Sequence, residues 1–74
     1  MVKRHLNNNI RKLRFEHAEM TQQQLAEQVG VTRQTIIAME QSKYSPTLEL
    51  AFKIAVVFGV TVDDVFSYNP DDET

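Results

Sequence analysis

Arg33 and Gln34 stand side by side three residues after Gly30. A guanidinium offers a planar fork of N–H donors, and a primary amide offers a donor edge beside an acceptor edge, so each can make two parallel hydrogen bonds to a flat heteroaromatic partner. In the major groove of duplex DNA that partner is a guanine edge for arginine and an adenine edge for glutamine. Ala38 or the methyl group of Thr32 suits a thymine methyl. This chemistry needs Thr32, Arg33, Gln34, Ile37 and Ala38 to share one outward face of a rigid element. The preceding stretch, "TQQQLAEQVGVTRQTI", holds five glutamines around that single glycine.

Other chemistries lack their parts. The chain has no cysteine, which excludes disulfides and thiolate metal sites and fits a reducing compartment. His5 and His17 are far apart, with no cluster of acids beside them, so neither a metal site nor a cofactor is expected. There is no Ser-His-Asp set or glycine-rich phosphate loop, and 74 residues can hardly wall off a catalytic pocket, so a binding protein is expected rather than an enzyme. The apolar run "IAVVFGV" is too short to span a bilayer and no apolar signal segment follows the first basic residues, which makes the expected location cytoplasmic.

The formal charge of −2 conceals an asymmetry. Seven bases face four acids through Lys43, a balance of +3, and one base faces six acids from Tyr44 onward, a balance of −5. A basic first half can meet a polyanion while the acidic end points away, although an ordinary solvated surface has the same look.

The elements that must position these residues are five short helices in one all-α domain spanning residues 1–74, with a core at about 8–66. The asparagines of "NNN" can cap a first helix at about 8–17, with Ile10, Leu13 and Arg14 on one face. Thr21 and Gln24 form a Thr-x-x-Gln capping box for a second helix that turns Leu25, Ala26 and Val29 inward. Gly30 ends it, and Thr32 opens a third helix with Ile36, Met39 and Glu40 on one face. Thr47 caps a fourth, whose expected core positions are Leu48, Ala51, Ile54, Ala55 and Phe58, and Gly59 stops it. Thr61 caps a last turn containing Asp63 and Asp64, acids that suit the positive end of the helix dipole. The tail at 69–74 reads as disordered. Two helices joined at Gly30 make a helix-turn-helix, with Ala26 small enough for a close crossing.

The segment "TQQQLAEQVGVTRQTIIAMEQSKYSPTLELAFKIAVVFGVTVDDVF" resembles the lambda-repressor-like, or XRE-type, DNA-binding domains, especially their small stand-alone members. The resemblance covers about residues 8–66. It implies a dimer on double-stranded operator DNA, with Gln22 and Thr32 on phosphates, Arg33, Gln34, Ile37 and Ala38 facing bases, and Lys43 returning to the backbone. It also implies an internal pair between Arg14 and Glu40. The loop from Arg14 to Thr21 is one residue longer than the common pattern, which blurs the register of that pair. Ser42 stands where glycine is frequent, which loosens the expected exit from the third helix.

Each residue also has a plainer reading. The glutamines can cap or lie solvated, Arg33 can be a solvated helix residue, Glu40 a surface acid, and Met39 is core filler. The function expected is a sequence-specific transcriptional regulator, a repressor acting as a homodimer. The alternative is an antitoxin-type module that neutralises a cognate toxin and binds DNA for autoregulation. The fourth helix has more apolar residues than one inward stripe needs, which leaves Phe52, Val56 and Val57, extended by Phe66 and Tyr68, as the expected dimer surface. The alternation in "FSY" further suggests a strand paired with the start of the chain near Val2.

Overall fold

Four threonines punctuate the chain, and each one starts a helix. The computed structural model describes residues 6–68. In order along the chain these form β1 (Leu6–Asn8), α1 (Ile10–Glu16), α2 (Gln22–Val29), α3 (Arg33–Glu40), α4 (Leu48–Phe58), α5 (Val62–Val65) and β2 (Phe66–Tyr68). The hydroxyls of Thr21, Thr32, Thr47 and Thr61 accept from the backbone N–H three residues on, with full capping boxes at Thr21–Gln24 and Thr61–Asp64. Gly30 (φ 79°) and Gly59 (φ 68°) close α2 and α4 in the left-handed conformation. A Cβ at either position would meet nothing within 4 Å, so the demand for glycine is conformational alone.

One core joins the elements, with Ile10, Leu25, Ile36, Met39, Ile54 and Val65 fully buried at its centre. Burying a side chain of this size contributes about 1.5–3 kcal/mol. Ala26 is also fully buried, as a close crossing of α2 requires. His17 ties α1 to α4: its Nδ1 lies 2.9 Å from the Leu13 carbonyl oxygen and its Nε2 lies 3.0 Å from that of Phe58, whose ring meets it edge-on at 5.0 Å.

Several expectations need correction. Leu48 is 72% exposed and Leu50 is buried in its place. Leu48 is the first residue of α4, and because Cα–Cβ bonds tilt toward a helix's N-terminus its side chain projects past the start of the helix. The asparagines do not cap α1 in the usual way, since Asn9 makes no side-chain cap bond. Asn8 accepts from the Ile10 N–H at 3.1 Å and donates to the Met39 carbonyl at 2.7 Å, while Asn9 donates to the Asp64 carbonyl at 3.1 Å. These bonds anchor the incoming chain to α3 and α5, and β2 pairs antiparallel with Leu6–Asn8, with Leu6 opposite Tyr68 and Asn8 opposite Phe66. The expected partner, Val2, and the tail expected to be disordered lie outside the described residues. Phe66 is a core residue at 8% exposure and offers nothing to a surface, because the end of α5 turns it inward beside Val65.

Candidate nucleic-acid interface

The position of α3 is set from behind. Ile36 and Met39 bury one side of the helix, and at about 100° per residue this phase turns Arg33 and Gln34 out to solvent. Ile37 and Ala38 are half-buried at the edge of that outward face. The structure therefore brings the four expected base-facing residues onto one surface, with the donor-rich pair in the first turn of α3.

Glu40 fixes this helix to its neighbours. Arg14 Nε donates to Glu40 Oε2 at 2.7 Å and Arg14 Nη2 donates to Glu40 Oε1 at 3.2 Å, a bidentate pair whose side chains are 13% and 10% exposed. Arg14 Nη1 donates to the Met20 carbonyl at 2.8 Å, so the guanidinium also holds the loop between α1 and α2. The extra residue of that loop leaves the pair's register intact. It is absorbed by two successive residues in left-handed conformation, Ala18 (φ 58°) and Glu19 (φ 55°).

The four glutamines of α2 separate into different roles. Gln24 belongs to the capping box, Gln23 donates to Glu27 at 3.0 Å, and Gln28 is exposed. Gln22, expected on a phosphate, donates from Nε2 to Glu40 Oε1 at 3.1 Å. An amide nitrogen carries two protons, so a second N–H and the carbonyl remain for another partner. Thr32 is similarly engaged, capping Thr35 at 3.2 Å and sharing a hydroxyl contact with the Thr35 side chain at 3.0 Å. Lys43 is exposed just after α3. The chain reaches it through a tight exit: Ser42 takes φ 60°, its N–H reaches the Met39 carbonyl at 3.0 Å, and the Lys43 N–H reaches the Ala38 carbonyl at 2.9 Å. Ser42 thus adopts the conformation for which glycine is suited, and the loosening expected from its side chain does not occur.

On another side of the molecule, Leu48, Phe52 and Val56 recur every four residues along α4 and are 72%, 55% and 77% exposed. Phe52 and Val56 border a depression of about 540 Å³ between α4 and the end of α2. The spacing of Leu48 also fits the inward stripe, so periodicity alone does not mark it as part of this surface. Val57 is half-buried against the core, and Tyr68 is exposed.

Comparison with known proteins shows the family to which this fold belongs. The helix-turn-helix family model HTH_3 matches residues 10–65. An uncharacterised HTH-type transcriptional regulator of Methanocaldococcus jannaschii is 49% identical over 67 residues, which span 90% of this chain and all of that protein. The cryptic phage CTXphi transcriptional repressor RstR of Vibrio cholerae is 35% identical over 61 residues, 82% of this chain and 54% of the repressor. A crystal structure of a candidate DNA-binding protein from Bacteroides fragilis superimposes with a TM-score of 0.74 at 27% identity, covering 84% of this chain and 98% of that one. The chain belongs to the XRE-type helix-turn-helix family of transcriptional regulators.

Proposed function

We propose that the protein is a sequence-specific double-stranded DNA-binding repressor that acts as a homodimer, through binding and not catalysis. The observation that supports base reading is the paired exposure of Arg33 and Gln34 on a helix locked from behind by Ile36, Met39 and the Arg14–Glu40 pair. Ile37 and Ala38 complete the base-facing surface, while Gln22, Thr32 and Lys43 meet the backbone. Gln22 and Thr32 do so with the hydrogen-bonding capacity left over from their internal partners. The repressor role is supported by the similarity to RstR. The homodimer is supported by the Leu48, Phe52 and Val56 stripe, a row of apolar side chains that a monomer would leave in water.

Selection of bound fragments from randomised duplex DNA tests this reading. The expected product is a two-fold-symmetric motif whose half-site centres lie about 34 Å apart, one helical turn. Arg33→Ala should then cost about 1–3 kcal/mol per half-site and relax preference at one base pair in each. Failure to enrich any motif, or equal losses for Arg33→Ala on selected and random DNA, overturns it.

A further inference from the structure

We propose that Arg11, steadied by the ring of Phe15, is a further DNA-backbone contact on α1, beyond the helix-turn-helix itself. This rests on the DNA-binding function proposed above. A depression of about 610 Å³ is lined by Gln22 and Ile37 together with Arg11 and Phe15. Arg14 and Glu40 also line it, and both are nearly buried and neutralise each other. Arg11 therefore lies on the same side of the molecule as two residues placed at the DNA.

The two side chains suit this role better than they suit a folding role. The Arg11 guanidinium carbon lies 5.8 Å from the Phe15 ring centroid, within the range of a cation–π contact. Among the described residues Arg11 has no carboxylate partner, so its charge is not neutralised locally. Phe15 is 55% exposed and outside the core, so its ring contributes little to folding there. A planar cation resting on a ring keeps its N–H edges available, and the contact restrains a long side chain before it meets a phosphate oxygen. Glu19 also lines the depression and is the acid that the phosphates must clear. Arg11 is the phosphate-binding group in this arrangement and Phe15 is its positioning residue.

The test measures affinity against salt for the selected duplex and for a scrambled duplex of the same length, using wild type, R11Q, F15L, the double variant and K53Q as a charge control. R11Q removes one phosphate contact from each protomer of the dimer, which lowers the slope of log K against log salt by about 1.8, so the advantage of wild type over R11Q should shrink about 12-fold between roughly 50 and 200 mM salt. The loss should be the same on both duplexes, because a phosphate contact reads no sequence. K53Q should leave the slope unchanged. F15L should give a smaller, equally uniform loss that disappears in the R11Q background. An unchanged slope in R11Q overturns the contact while leaving the function standing if wild type still prefers the selected duplex. An F15L loss that persists in full beside R11Q overturns the positioning role. A wild type that binds neither duplex overturns both this inference and the function it rests on.

Discussion

Replacing Glu40 with alanine separates an internal ion pair from a surface one. Glu40 accepts two hydrogen bonds from Arg14 and one from Gln22, and the Arg14–Glu40 side chains are 13% and 10% exposed. Truncation leaves the guanidinium with the Met20 carbonyl as its remaining partner in this network, at a site where water has little access. Breaking a buried pair by removing one partner costs about 3–5 kcal/mol, since the stranded charge keeps its desolvation penalty. The residual exposure of Arg14 argues for the lower end, about 3 kcal/mol. A domain of this length has a total stability of about 4–11 kcal/mol, so the variant should lose a quarter or more of it. The melting temperature should fall by roughly 12–24 °C, at about 4–8 °C per kcal/mol for a domain of this size.

The assay is thermal unfolding followed by far-UV circular dichroism without DNA, at matched protein concentration. Glu49→Ala is the internal control. It removes an exposed i,i+4 partner of Lys53 at 3.7 Å, a class of pair worth about 0.3–0.5 kcal/mol. If Glu40→Ala melts within the range of Glu49→Ala, the glutamate is a surface acid and the account of how α3 is held is wrong.

Three further outcomes follow from the same geometry. Ser42→Gly should stabilise the protein by about 1 kcal/mol, because a left-handed φ of 60° strains a residue with a Cβ and the backbone bonds of the turn are already made; a lower denaturation midpoint in urea would refute this. The Phe52→Glu, Val56→Glu double variant should sediment as a monomer at micromolar concentration where wild type sediments as a dimer; a dimeric variant or a monomeric wild type refutes the α4 interface. The backbone N–H of Thr61, followed by its hydroxyl, donates to Asp64 and holds that carboxyl below its ordinary value of 3.8. A depressed carboxyl pKa contributes stability that is present above the unfolded value and is lost as pH falls through the folded one. Asp64→Asn should therefore flatten the loss of stability below about pH 3.8, and acid titration curves that superimpose for the two proteins would refute the capping role.

The helices were legible because their signals are local. A threonine that caps the N–H three residues on, a glycine that ends a helix and an apolar stripe at helical spacing all act within a turn or two, so α2 through α5 could be placed from the sequence alone. What could not be placed depends on contacts across the chain. Leu48 and Leu50 flank the same stripe, and the end of the packed core decides between them. The side chains of Asn8 and Asn9 reach partners 31 and 55 residues away, and no periodicity encodes such a reach. The strand in "FSY" is readable from its alternation, but its partner Leu6–Asn8 lies near the other end of the chain, and the inward turn of Phe66 follows from the packing of α5.

The candidate site divides along the same line. The outward face of α3 follows from the phase of Ile36 and Met39, so the sequence alone places Arg33 and Gln34 on it. It does not give the role of Gln22, because its partner Glu40 lies 18 residues away. That bond has a mechanical consequence. Glu40 holds α1 through Arg14 and the start of α2 through Gln22, while being itself part of α3, so one carboxylate sets the relative placement of three helices. Under the proposed function, Gln22 reaches toward the backbone from that carboxylate and Arg33 reads bases one helix away. The spacing between backbone contact and base contact is then governed by a residue that touches neither. A change at Glu40 should accordingly disturb DNA recognition through geometry as well as through stability, which distinguishes it from the loss of any single contact on the exposed face.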